Sequence, residues 1–217
     1  MNPDSGESPT RPSSKISLAL ECACVGVWVA AVASAGLVGV WIANGGAAIA
    51  LGTAVLVLDR EASRKVLVPS LQRILVGAAV GGVMAAATYL LYPLLTRIAP
   101  FIAADTARLY AAFRAPSLAI ACLAIAPVIL GEELVWRGVV QSALVRRLGS
   151  SGGVALAAGV YALALAPVGS PILVLVALAC GLTWGTLRAV TGSLVPTLVA
   201  HLLWDGLVLL WLPLDSR

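Results

Sequence analysis

Long apolar runs, separated by short polar segments, dominate the pattern of this chain. A helix needs about 20 apolar residues to cross the hydrocarbon core of a bilayer, so the runs predict about seven membrane spans. The predicted spans are two within 16–58, then 68–95, 117–145, 154–168, 171–190 and 194–212. The pattern therefore predicts an all-α fold, a polytopic bundle of transmembrane helices.

The polar segments predict how these spans are connected. We expect the first two spans to turn near Ala35-Gly36 or near Asn44-Gly45-Gly46, and an eighth span, or one fewer at the N-terminus, stays open. The predicted connections are a charged loop at 59–65, an interfacial helix within 97–116 and a turn at 149–153. The predicted organisation is a flexible polar tail at 1–15, membrane helices with the interfacial segment at 16–114, a membrane core at 115–212 and a tail at 213–217.

The composition supports a membrane protein. Of 217 residues, 60% are hydrophobic and 11% are charged, and the mean hydropathy is +1.01. A soluble domain needs more charged surface, and no basic stripe interleaved with aromatic residues indicates a nucleic-acid partner. Lysine occurs only at Lys15 and Lys65, against 12 arginines, a bias that indicates a GC-rich genome. Such a genome favours a bacterial source, and hence a location in the inner membrane. We expect the lipid bilayer as a partner, and the pattern indicates no oligomeric state.

The basic residues predict the orientation of the spans. With seven spans and a cytoplasmic N-terminus, eight basic residues lie inside and four outside, as the positive-inside rule requires. The inner group is Arg11, Lys15, Arg60, Arg64, Lys65, Arg146, Arg147 and Arg188, and the outer group is Arg97, Arg108, Arg114 and Arg217.

Charged residues lie inside two of the predicted spans. The stretch GEELVWRG places Glu132, Glu133 and Arg137 in the fourth span. Each such charge costs roughly 2.5–3.5 kcal/mol at a helix centre, so it needs a partner and a function. Glu133 and Arg137 share a helix face, whereas Glu132 points about 100° away and has no local partner. We therefore expect Glu133 to be structural and Glu132 to be free to react; the alternative is a helix end that reaches the cytoplasm.

The last span carries a second polar pair, His201 and Asp205, again four residues apart. His201 is the only histidine of the chain. Counted along their helices, Glu132 lies roughly 6 Å and His201 about 10 Å from the inner boundary of the hydrocarbon core. This similar depth predicts one shared site that water reaches from the cytoplasm, although a structural His–Asp pair alone stays open.

Both motifs resemble those of the CAAX protease and bacteriocin-processing (CPBP) family of intramembrane endopeptidases, including its myxosortase-like bacterial members. Glu132-Glu133-x-x-x-Arg137 matches the family's EExxxR, and His201-x-x-x-Asp205 matches HxxxN/D, over roughly 115–210. The resemblance implies that Glu132 is the general base on a water, braced by Glu133 and Arg137. It implies that His201 and Asp205 stabilise the oxyanion.

One motif of the family is incomplete. The family has Phe-xxx-His on the intervening span, and this chain has Tyr161 and Leu165 there. The resemblance implies that this histidine helps to hold the water, so the usual clamp lacks one of its two side chains.

Three functions stay open on the sequence. The first is an endopeptidase that cleaves a membrane-associated peptide or protein, either at a leader peptide or at a C-terminal sorting signal. The second is a non-catalytic relative that binds a membrane segment as an immunity or assembly factor, and the third is a proton-coupled transporter. We expect no metal and no other cofactor, because HExxH is absent and a zinc site generally takes three protein ligands.

Overall fold

The computed structural model describes residues 18–114 and 117–214, and these residues form α-helices with short π-helical and 3₁₀ segments but no strand. The predicted tail at 1–15, much of the tail at 213–217 and residues 115–116 lie outside the described residues. The α-helices are α1 Leu18–Val38, α2 Gly46–Leu58, α3 Arg60–Val66, α4 Leu71–Ile98, α5 Phe101–Phe113, α6 Leu118–Glu133, α7 Gln141–Ala164, α8 Pro171–Thr191 and α9 Val195–Asp205. π-Helical segments occupy Trp41–Gly45, Leu134–Val140 and Gly206–Trp211, and a 3₁₀ turn occupies Ala166–Val168.

Five helical stretches of the described chain are long and apolar enough to cross a membrane, which confirms the all-α polytopic fold. These stretches are Leu20–Val38, Trp41–Leu58, Leu71–Ile98, Leu118–Val168 and Pro171–Thr191. The apolar stretch Val195–Trp211 is shorter. The protein is therefore a multi-pass membrane protein, and the count of seven spans stays a prediction.

The first two membrane stretches separate at Gly39, which corrects the predicted turn. Gly39 has φ +88°, a conformation that glycine adopts without steric cost. Ala35-Gly36 lies inside α1, and Asn44-Gly45-Gly46 continues the second helical stretch. A Cβ on Gly45 would lie 3.3 Å from Val128, so this glycine serves helix packing and does not form a turn.

Two other connections differ from the prediction. The charged segment at 59–65 is not a loop, because most of it forms the helix α3, with Glu61 and Lys65 paired one turn apart. The predicted turn at 149–153 reduces to Gly149, whose φ of +74° breaks the path between the two arms of α7. Residues 150–153 already belong to the second arm. The predicted interfacial segment contains α5.

Small residues let the helices of the core approach closely. α4 packs along α9, where Gly77 and Gly81 lie against the backbone of Pro196 and Ala200. α7 packs along α8, and α2 packs along α6. Such contacts are typical of membrane helices, in which van der Waals packing has to supply the association that water would otherwise drive. The packing brings α6 and its π-helical continuation against α9, and so sets the position of the two motifs.

Candidate active site

The two charged motifs meet inside the helix bundle. Glu133 Oε1 lies 3.0 Å from His201 Nδ1 and 3.1 Å from Arg137 Nη1. The side chains of Glu133, Arg137 and His201 are only 0%, 2% and 3% exposed. A buried charge is tolerated when it is paired, so this triad neutralises one carboxylate with the guanidinium and the imidazole.

Two further contacts fix the imidazole ring of His201. Its second nitrogen, Nε2, lies 3.4 Å from Asp205 Oδ2, one turn along the same helix. The ring also stacks on Trp184 of α8, with 3.8 Å between the ring centroids and 22° between the planes. A carboxylate only accepts hydrogen bonds, so a ring nitrogen that binds one has to donate. His201 therefore presents Nδ1–H to Glu133 and can direct Nε2–H toward Asp205 or toward a bound group.

Glu132 occupies a different environment from its neighbour. Its side chain is half-buried, and Oε2 lies 3.5 Å from the hydroxyl of Tyr161 on α7. It also interacts electrostatically with His201, Asp205 and Arg137. Since no ion pair within 18–114 and 117–214 includes Glu132, its carboxylate lies beside the polar network without being consumed by it.

Tyr161 and Trp184 are site residues that the sequence did not single out for the chemistry. The Arg137 guanidinium lies over both rings, 4.7 Å from the centroid of Tyr161 and 5.1 Å from that of Trp184. Trp136 contacts Tyr161 edge to face at 5.2 Å. The available signal was the tyrosine at the phenylalanine position of the incomplete motif, which adds one hydroxyl to an otherwise apolar stretch.

Leu165 lies in an apolar environment at the end of α7. It is 9% exposed and belongs to a buried cluster that includes Trp28, Val135 and Trp136. At the position where the CPBP resemblance implies a histidine, the Leu165 side chain therefore packs against apolar neighbours.

A close glycine contact holds the helix just before Glu132. A Cβ on Gly131 would overlap the carbonyl oxygen of Ala48, and a Cβ on Gly52 would lie 2.5 Å from Gly131 Cα. The backbones of α2 and α6 therefore touch at this point, and the contact fixes the height of Glu132 within the bundle.

The described residues contain no group of three histidine, cysteine, aspartate or glutamate side chains arranged to hold a metal ion. The charged side chains of the site are instead divided between the buried triad of Glu133, Arg137 and His201 and the half-buried Glu132.

A known protein family matches the part of the chain that contains this site. Residues 113–207 match the model of a family described as Type II CAAX prenyl endopeptidase Rce1-like. Over these residues, somewhat less than half of the chain, the protein is similar to this family of CAAX endopeptidases. The matched range contains all five predicted site residues, which are Glu132, Glu133, Arg137, His201 and Asp205. The match indicates a peptidase of the CAAX protease type. Searches of curated proteins and of solved structures find no match to the chain.

Proposed function

We propose that this protein is an intramembrane endopeptidase in which Glu132 activates a water molecule against a peptide bond. The observation that carries the proposal is the contrast between two adjacent carboxylates. Glu133 is fully buried and paired with Arg137 and His201, whereas Glu132 is half-buried and outside every ion pair of the described chain. A general base needs a carboxylate that water can reach and that no ion pair holds, and the half-buried, unpaired Glu132 fits this role better than Glu133.

The proposed reaction uses the neighbouring groups in turn. Glu132 takes a proton from water, and the oxygen attacks the carbonyl carbon of the scissile bond. The Nε2–H of His201, oriented by Asp205, donates a hydrogen bond to the oxyanion. Glu132 then returns the proton to the amide nitrogen, the C–N bond breaks, and the products are a carboxylic acid and an amine. Loss of one donor to the oxyanion typically lowers kcat by about 10²–10³. Glu133 and Arg137 hold His201 at the required position.

Tyr161 positions the carboxylate of Glu132 in this proposal. Its hydroxyl is the only side-chain hydrogen-bond partner of Glu132 in the described residues, and its ring is held by Trp136 and Arg137. We assign it the role of a positioning residue that limits the rotation of the carboxylate, in a chain where Leu165 supplies no polar group.

The proposed substrate is a membrane-associated peptide or protein, cut at a leader peptide or at a C-terminal sorting signal, as in a myxosortase-like member. The proposed location is the bacterial inner membrane. A buried site among membrane helices fits a substrate that arrives within the bilayer, and the excess of basic residues on the predicted inner side fits this location.

A second candidate function is a non-catalytic relative that binds a membrane segment as an immunity or assembly factor. The packing of Leu165 at the expected histidine position favours it. The two functions separate in one experiment, in which the purified protein is incubated in liposomes with membrane-anchored peptides from its own genome. Mass spectrometry should find two fragments with a defined new terminus if the protein is a peptidase. Stable co-purification of an intact peptide, without fragments, would favour the binder.

A further inference from the structure

A cavity with charged residues in its wall lies at the end of the bundle that carries the charged segments 59–65 and 146–147. Its volume is about 140 Å³, and it lies between α2, α3, the first arm of α7 and the end of α8. The polar residues of its wall are Asp59, Ser63, Ser142, Arg146 and Arg188. Because a single water needs only about 10–15 Å³ by this measure, the cavity has room for a larger group. None of the five motif residues lines it.

The two arginines of this cavity have unused hydrogen-bonding capacity. None of the ion pairs in the described chain includes Arg188, and its Nε is buried without a hydrogen-bond partner there. Arg146 contacts Glu21 only at 3.5 Å, because Arg147 holds the same carboxylate at 2.8 Å. Two guanidinium groups at one cavity predict that it binds an anion. The N–H donors of a guanidinium lie in one plane and match the spacing of two phosphate oxygens.

Asp59 adds a negative charge to the cavity wall, and this limits which anions can bind. It lines the same cavity, and no ion pair among the described residues joins it to either arginine. A simple anion would be repelled by this carboxylate, whereas a group that carries both charges would satisfy the whole wall. The remaining wall is apolar, from Val55, Val66, Leu134, Val139 and Leu194, and suits the glycerol and the first methylenes of a lipid.

We propose that this cavity binds the headgroup of a phospholipid that carries a primary ammonium, of the phosphoethanolamine type. Arg188 and Arg146 contact the phosphate, and Asp59 accepts from the ammonium. The location agrees with this ligand, because Asp59 directly follows the membrane-length stretch Trp41–Leu58 and Arg188 lies in the last turn of Pro171–Thr191. The site is separate from the proposed peptidase reaction and does not depend on it.

Native mass spectrometry of the full-length protein in detergent tests this proposal. Wild-type protein should retain phosphatidylethanolamine about tenfold more strongly than phosphatidylcholine, whose quaternary ammonium cannot donate to Asp59. Arg188→Gln should weaken the retention of both lipids about tenfold. Asp59→Asn should remove only the preference between them, and Arg64→Gln, an exposed arginine outside the cavity wall, should change neither.

Several results would overturn the proposal. Wild-type retention of both lipids by a folded Arg188→Gln protein would exclude the phosphate contact. An unchanged preference in Asp59→Asn would exclude the ammonium contact. Soluble phosphorylethanolamine should not displace the lipid at equal concentration, because it lacks the part that the apolar wall holds; displacement would assign the cavity to a soluble phosphate ester. Cleavage activity enters none of these readouts, so they are independent of the peptidase.

Discussion

His201 Nδ1 lies 3.0 Å from Glu133 Oε1, so a buried polar contact joins two helices whose motifs are 68 residues apart. Arg137 approaches the same carboxylate oxygen at 3.1 Å. One oxygen of Glu133 therefore serves two cationic or donor groups, and the position of the imidazole depends on the Glu133–Arg137 pair. In the proposed mechanism this pair is structural, and the chemistry belongs to the neighbouring Glu132.

Replacing Arg137 by alanine should destabilise the protein. It leaves Glu133 fully buried with His201 as its remaining partner, a change that typically costs about 3–5 kcal/mol in the free energy of unfolding. The measurement is chemical or thermal unfolding in detergent. Lys65→Ala is the control, because the Lys65–Glu61 pair is exposed to solvent and its loss should leave the free energy of unfolding almost unchanged. Equal effects of the two variants would contradict the structural role.

Gly131→Ala should also destabilise the protein, by about 1–3 kcal/mol, because the added methyl group overlaps the backbone of Ala48 and forces α6 away from α2. It should lower cleavage as well, since Glu132 is the next residue. Gly159→Ala is the matched control, as nothing lies within 4 Å of the added Cβ. Unfolding curves of the two variants should differ clearly; if they coincide, the close helix contact is absent.

The apolar surroundings of Leu165 lead to a prediction about restoring the family histidine. Leu165→His should lower the free energy of unfolding by roughly 1–3 kcal/mol and should not raise the cleavage rate, because the imidazole enters a buried apolar cluster. Leu165→Met, which conserves volume and polarity, should cost less than about 1.5 kcal/mol. A clear gain in cleavage rate would instead mark the natural protein as a weakened form of the ordinary enzyme.

Tyr161→Phe should lower kcat about tenfold and leave KM unchanged, because it removes the single hydroxyl beside Glu132 and keeps the ring between Trp136 and Arg137. Steady-state cleavage of an identified peptide measures both constants. Tyr89→Phe is the control, since its hydroxyl binds the Leu212 carbonyl away from the site. A rise in KM alone would show that Tyr161 contacts the substrate and does not position the base.

The sequence predicted the fold class because apolar runs long enough to span a bilayer have few alternatives to helix. It did not locate the first break. Glycine occurs at 36, 39, 45 and 46, and only packing decides which of them leaves the helix. The glycines at 45 and 46 remain helical, as the contact of Gly45 with Val128 requires.

The candidate site was predictable where its contacts are local. Glu133 and Arg137 are four residues apart, so their pairing follows from helix geometry. Counting along the helices placed His201 at a similar depth to Glu132. It could not show that Glu133 is the carboxylate that faces His201, because that depends on the rotation of α9 about its axis. Trp184 and Tyr161 come from two further helices, and only the packed structure brings them to the site.

The most direct test of the proposed chemistry compares wild type with Glu132→Gln in the liposome cleavage assay. The substitution keeps the shape of the side chain and removes the base, so cleavage should be lost while the unfolding curve stays unchanged. Glu61→Gln, at an exposed glutamate outside the site, should cleave at the wild-type rate. Wild-type cleavage by a folded Glu132→Gln protein would contradict the assignment of Glu132 as the base that activates water.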